Sequence, residues 1–478
     1  LGVFVDVGFD KTWATCGIFR KFGRSKKDNL YDMKLLPVLK GSWLLGGVLE
    51  FAKDPIHFVT DNLQKYNGTF IADFKFAKLL ITDQPEHILH VLQKNNRNYV
   101  KSPGYTKLSW ALGKGLLTNE GESWLKQRRL IQPAFHRQKL EKIFLGMVEQ
   151  TDHYCTQLQQ YKHSGQELDI TREMMALTSQ IAMSSLFGDS LDKQKIQTLY
   201  TAISYSQSYL TDHIWRPMRS LIYFVNGRHR LFKKYMHQAD QLMYDVFEKR
   251  RTNPIERDDL LALLMNTIDE ETGERMDNKQ LRDETATLFV AGHETSANAL
   301  SWAFYLLAQH PQAYAKAKQE AQSVLADGHA MTSDDLRRLP YCAAVINESM
   351  RLYPPAWSMG RQALADDNFG EFTIKKNTVV FIPVYQLHRH PKFWKNPDDF
   401  VPERFIPDIP AEVPKGVFIP FGAGPRLCIG NSFAMMEMQM VLAKILNQFD
   451  ITLANTQPVV PEPLITLRPK TPIQIRLS

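Results

Sequence analysis

Apolar positions recur at three- and four-residue spacing through the middle of the chain, from about residue 122 to residue 350. That period marks helices that bury one face. It predicts helices at 122–131, 139–161, 173–187, 232–251 and 311–326, the last with Pro311 in its first turn, where a missing N–H costs nothing. The stretch 278–310 stands apart, with no proline and a single glycine, Gly292. A helix of that length spans about 45 Å. Because the stretch is apolar on both sides of Gly292, it is predicted to be buried along most of its course. Upstream, residues 58–94 read as short strands followed by a helix at 85–93. After Pro354, residues 372–384 and 473–477 alternate apolar and polar positions as strands do. The predicted fold class is mainly α with minor β sheets. No repeat or Gly/Ser linker divides the chain, so 34–478 reads as one domain behind an extension, 1–33, of unassigned role.

Composition narrows the function more than the fold. The 478 residues are 44% hydrophobic with a net charge of 58 − 51 = +7, a globular balance and not a disordered one. So mild a positive excess suits an acidic partner or anionic surface and speaks weakly for nucleic acid. Four scattered cysteines make no disulfide scaffold, which favours a reducing compartment. A membrane span needs roughly 20 apolar residues; the best run, 42–52, is short and carries Glu50. No signal-peptide core lies in 1–33. The expectation is a soluble, cytoplasmic protein as written, with room for an anchor upstream of Leu1.

Chemistry concentrates at Cys428, in FGAGPRLCIG ahead of a helical run at 431–449. Cys16, Cys155 and Cys342 read as small buried hydrophobes. Around Cys428, Gly422, Gly424 and Gly430 free the backbone for a tight turn and for close approach by a flat ligand. A helix starting just behind the sulfur favours thiolate, and Arg426 adds a cation that can meet a carboxylate. These residues point to an activated or metal-bound thiolate beside an anion site. Phe421, Gly424, Arg426, Cys428 and Gly430 match F-x-x-G-x-R-x-C-x-G, and by that motif the chain resembles the cytochrome P450 superfamily. The resemblance extends from Leu36 to the tail. Its departures are an N-terminal approach (LPVLKGSWLLGG) without the usual run of prolines and the unmatched residues 1–33.

Three further motifs carry the resemblance. Glu348 and Arg351, three apart on one helix face, resemble E-x-x-R, and Arg404 in PERF resembles the third member of that triad; by themselves Glu348 and Arg351 read as an ordinary surface pair. The implied role is structural, a buried network in which removing one member strands a charge. Ala291–Gly292–His293–Glu294–Thr295 resembles A/G-G-x-D/E-T. Read alone, it is a Thr-capped kink in a helix. Read by resemblance, Ala291 and Gly292 leave room for dioxygen, Thr295 with a water holds it, and Glu294 passes protons inward. Trp124 and Arg128, in W-x-x-x-R, together with Arg426 and Arg361, are implied haem-propionate partners. His293 is expected to point away from the iron. Relatives with a covalent haem ester carry Glu at the position of Ala291, so the implied cofactor is non-covalent haem b with iron held by Cys428.

The implied activity is a haem-thiolate monooxygenase that inserts one oxygen atom of O2 into a C–H bond. Only 50 residues follow Cys428, too few for a reductase domain, so a separate ferredoxin, flavodoxin or flavoprotein reductase is implied. Lys126, Arg129, Lys392, Lys395 and Lys415 are candidates for its docking patch, against an equal reading as solvated surface. The pocket is expected from 102–116, 205–224, 288–291 and 355–359, with Tyr209, Trp215, Tyr223, Leu288, Phe289, Pro355, Ala356 and Trp357 on its wall. These suggest a large apolar substrate. Arg216 or Arg219 as a carboxylate holder leads to a fatty acid, with a terpenoid close behind. The alternatives are a P450-fold isomerase or peroxygenase, against which Glu294–Thr295 argues, and a non-catalytic haem sensor.

Overall fold

The computed structural model describes residues 36–40, 47–74, 77–188, 190–215, 223, 226–326, 328–369, 372–406 and 413–478. Its longer helices are α1 (Pro55–Lys65), α2 (Tyr105–Leu112), α3 (Gly121–Ile131), α4 (Arg137–Ser164), α5 (Ile170–Phe187) and α6 (Lys193–Trp215). They continue as α7 (Arg228–Thr252), α8 (Asn278–Gln309), α9 (Pro311–Leu325), α10 (Pro340–Leu352) and α11 (Asn431–Gln448). The main sheet has β1 (Val38–Lys40), β2 (Thr69–Asp73), β3 (Lys78–Thr82), β4 (Tyr99–Lys101), β5 (Met359–Ala363) and β6 (Val379–Ile382). Their spatial order is β1-β2-β3-β6-β5-β4. The β1–β2 and β3–β6 pairs are parallel and the rest antiparallel. The fold is mainly helical with small sheets, as the periodicity predicts.

α8 is the axis of the molecule. Asp277 caps its start by accepting from the Gln280 backbone N–H at 2.7 Å, which satisfies one of the free donors of the first turn. The helix is continuous through Gly292 and buried over most of its length, from Leu281 to Leu307. α5 packs along it, and the Thr178 hydroxyl donates to the His293 carbonyl at 2.9 Å, tying the two helices at mid-length. α10 and α11 also pack on α8, so that the helix of the E-x-x-R pair and the helix behind Cys428 meet it in one core.

The differences from the sequence reading have local causes. The helix expected at 85–93 ends at Leu89 and continues as one π turn, His90–Lys94. The stretch 372–384 splits into Phe372–Ile374 and Val379–Ile382, because Asn377 takes a positive φ of 68° between them. α6 was absent from the expectation: its Ser, Thr, Gln and Tyr residues blur the apolar stripe, and packing on α7 holds it instead. The extension 1–33 and residues Arg216 and Arg219 lie outside the described residues. Among the described residues, no helix is long and apolar enough to cross a membrane.

Candidate active site

The cysteine loop is built by close backbone contacts. The Cys428 N–H donates to the Phe421 carbonyl at 2.9 Å, closing the loop on itself. Gly424, at φ +72°, lies so near the π turn that a Cβ there would stand 1.8 Å from the Leu92 carbonyl oxygen. No side chain fits at that position. Behind the loop, α11 starts at Asn431, with Gly430 as its cap. Cys428 itself is exposed, although crowded by the loop around it. Burial pushes its thiol up, against the opposing pull of the Gly430 backbone N–H and of Arg128. The Gly430 N–H at the helix start acts in the direction expected of it, toward thiolate, and desolvation of the anion acts against it. A bound metal cation reverses that balance, because a coordinating thiol is deprotonated outright.

Beside the loop, cations gather. The Arg426 guanidinium stacks over the Trp124 ring at 3.9 Å, donates to the Asn119 carbonyl at 2.9 Å and pairs with Glu120. Arg128 donates to the Leu427 carbonyl at 2.8 Å, and Arg361 is buried, donating to the Gly360 carbonyl. The sequence reading missed a fourth cation, Lys101 on β4, whose ammonium donates to the Leu117 carbonyl. Burial, then Arg426 and Arg361, push Lys101 down to about 7, with Glu120 opposing. Burial, with Arg361 and Arg128 acting against Glu120, pushes Arg426 down to about 10. Four cations with Glu120 among them are short of negative charge, so the cluster suits a ligand with two carboxylates. Nothing local in the sequence flags Lys101; only the pairing of β4 with β5, Lys101 opposite Arg361, brings it there.

The E-x-x-R pair is fully buried. Arg351 gives Glu348 two bonds, Nε to Oε2 at 2.7 Å and Nη2 to Oε1 at 2.8 Å. Arg404 Nε and the Val401 N–H also donate to Glu348 Oε1, at 3.3 and 2.9 Å. The remaining Arg351 donors reach the carbonyls of His388, Pro397 and Asp399. His388, which sequence reasoning also passed over, is completely buried and accepts the Ile419 N–H at 2.9 Å, joining this web to the segment that leads into the cysteine loop. Burial pushes its imidazole down to about 3.

On α8, Ala291 is exposed in the middle of a buried helix, and Gly292, Glu294 and Thr295 are partly so. Thr295 donates to the Ala291 carbonyl at 2.8 Å. His293 turns away into the core, stacked on Phe289 and bonded through Nδ1 to the Phe289 carbonyl. Glu294 is held from two sides: Gln207 on α6 donates at 2.8 Å and Thr466 at 2.6 Å. A cavity lies against this face of α8, walled by Leu112, Leu117, Leu210, Phe289, Val290 and Ile465 among others, with Glu294 the sole charged side chain on its wall among the described residues.

The expected wall residues distribute unevenly. Phe289 lines the cavity, whereas half-buried Leu288 does not. Tyr209 is fully buried, stacked on Phe232 at 4.4 Å and bonded to His229, and Tyr223 bonds Asp212. Trp357 sits in a separate core against Phe381, its indole N–H on the Leu464 carbonyl; Pro355 is buried and Ala356 exposed. Trp215 closes α6, its side chain outside the described set. Of the candidate docking cations, Lys126 pairs with Glu274 and Arg129 with Glu271, which mutes their charge, while Lys392, Lys395 and Lys415 are exposed.

Residues 36–477 match the family model described as Cytochrome P450. The chain is 30% identical to a putative cytochrome P450 132 of Mycobacterium tuberculosis, covering 86% of this chain and 91% of that protein. It is 32% identical to a cytokinin hydroxylase of Arabidopsis thaliana, covering 88% and 83%. It is 29% identical to a cyclooctat-9-en-7-ol 5-monooxygenase of Streptomyces melanosporofaciens, covering 85% and 87%. The crystal structure of the cytochrome P450DA haem domain superimposes with a TM-score of 0.83 over 93% of this chain and 97% of that one, at 24% identity.

Proposed function

Because the chain belongs to the cytochrome P450 family and is a monooxygenase of that family, using haem iron, O2 and electrons from a redox partner, we propose that it hydroxylates a large, neutral, terpenoid-like substrate. The observation behind this is the cavity wall: mostly apolar side chains, with Ser206, Gln207 and Thr285, surround one acid, Glu294. A fatty-acid carboxylate deep in that cavity would lie against a like charge, while a hydrocarbon or alcohol would not. The Streptomyces relative, named for an unsaturated alcohol, is consistent with that class.

When bound, the haem supplies the chemistry of oxygen activation. In this reading, Cys428, in the segment Phe421–Gly430, would hold the iron through its sulfur, and Trp124, Arg128, Arg361 and Arg426, joined by Lys101, would hold the propionates without a covalent link. Thr295 and Glu294 hold and move protons at the small-residue gap of Ala291 and Gly292, while the apolar wall excludes water and orients the substrate. Glu348, Arg351 and Arg404 keep the cysteine loop in place within one domain spanning 34–478. A separate ferredoxin, flavodoxin or flavoprotein reductase delivers the electrons.

Optical titration tests the substrate class. Neutral terpenoids should convert the haem from low to high spin at micromolar concentration, and long-chain fatty acids should do so weakly. Strong conversion by fatty acids with none by terpenoids would reverse the assignment. A reduced, CO-bound spectrum tests the ligand: the thiolate band should vanish in Cys428→Ala.

A further inference from the structure

Residues 113–117, which follow α2 and carry the cavity-wall residue Leu117, run against α8 in an arrangement more specific than apolar contact. The Lys114 N–H donates to Asp283 Oδ2 at 2.8 Å and, two residues on, the Leu116 N–H donates to Glu284 Oε2 at 2.8 Å. Backbone and side chain fit because both flanking glycines are bare. A Cβ at Gly113 would stand 2.1 Å from Asp283 Oδ1, and one at Gly115 would stand 2.1 Å from Thr287 Oγ1 and 2.6 Å from the Asp283 carbonyl oxygen. The carbonyls of the segment are engaged as well: Thr118 donates to Gly113 at 2.7 Å, and Gln127 to Lys114 at 2.8 Å.

We infer that Asp283 and Glu284 are positioning residues, a two-carboxyl latch that seats 113–117 on α8 and thereby sets how tightly this wall of the substrate cavity closes. The two acids differ in kind. Asp283 accepts from Arg282 at 3.0 Å, and Arg282 in turn pairs with Asp240 of α7 at 2.6 Å. Glu284 is fully buried and, among the described residues, no cation pairs with it; its Oε1 and the Thr287 hydroxyl one turn along are both without a partner there. The charged groups around it are Asp283 and Arg282 on its own helix, Asp240 behind them, and the exposed Lys114 side chain on the segment it holds. A protonated Glu284 suits this seat, with Oε2 accepting the Leu116 N–H and the acid proton free for Oε1.

Burial, and then Asp283, push the Glu284 carboxyl up to about 8, against the Leu116 N–H. Raised above its ordinary value near 4.5, the group favours the seated segment fully below that value. The advantage is lost as pH climbs toward 8 and the seated acid must give up its proton. The latch therefore loosens with rising pH over that window.

Hydrogen–deuterium exchange of peptides spanning 111–118, in the haem-loaded full chain without substrate, reads the latch directly and stays independent of the substrate class proposed above. After division by the intrinsic exchange rate, opening should increase about tenfold or more between pH 6 and pH 8 in the natural protein, within the linkage ceiling of tenfold per unit. In Glu284→Gln, which keeps the acceptor without the ionisation, opening should be flat with pH. Asp283→Asn should raise opening while leaving the pH slope in place. An unchanged slope in Glu284→Gln, or a segment no more open in Asp283→Asn, overturns the latch. The CO spectrum of each variant verifies that its haem pocket is folded.

Discussion

Glu348 and Glu284 are both buried beyond the reach of solvent, yet they are satisfied in opposite ways. Glu348 receives donors from two arginines and a backbone N–H, and Arg351 spends its remaining donors on three carbonyls. Glu284 receives one backbone N–H and has an oxygen with no partner among the described residues. A buried charge persists only where its hydrogen bonds and counter-charge are complete; otherwise the group keeps its proton. The E-x-x-R web is thus an all-or-none support for the cysteine loop, and the substrate wall hangs on a group whose charge can change. A fully paired web suits a segment that must not move, and a changeable group suits one that must adjust.

The comparison breaks first at the web. Glu348→Ala or Arg351→Ala strands a fully buried charge at a cost of about 3–5 kcal/mol, so the purified variant should contain little haem and show no thiolate CO band. Normal haem content in either would mean that the web is not what holds the loop. On the cavity side, Glu294→Gln should lower product formation by about a hundredfold, the lower end for loss of a proton-transferring group, with the CO spectrum unchanged. His388 sharpens the contrast within the web. Its imidazole, pushed down to about 3, is neutral in the fold. Its stabilising effect is complete above its ordinary value near 6.5 and is lost as pH falls from there toward 3. His388→Leu should lower stability at pH 7 by about 1–3 kcal/mol, the cost of leaving the Ile419 N–H unpaired, and should flatten the acid limb of the melting curve. Smallest is Gln207→Leu, which removes one donor from partly exposed Glu294 and should raise substrate KM by about two- to fivefold, the scale of a modest hydrogen bond.

The geometry of the cysteine loop, of the E-x-x-R pair and of residues 291–295 was legible because each is local. Glu348 and Arg351 share a helix face by spacing alone, and Phe421–Gly430 closes on itself through a single turn. Harder to read was everything assembled from distant segments. Lys101 reaches Arg361 only because β4 pairs with β5, and Thr466 reaches Glu294 across 172 residues. Tyr209 and Trp357 show the converse: aromatic residues on the expected segments turned into their own packed clusters, since helical period gives the buried side but not which neighbour it meets.

What the amino-acid order determined by itself was the helical class, the long central helix and the family. Those follow from short-range periodicity, glycine placement and fixed spacing. Tertiary structure alone decided the charge states. It pushed the Cys428 thiol up by burial, surrounded Glu348 with donors, and raised Glu284 by giving it almost none. A carboxyl or thiol has one intrinsic affinity for its proton, and only the solvent it loses and the partners it gains in the folded chain set the affinity it shows.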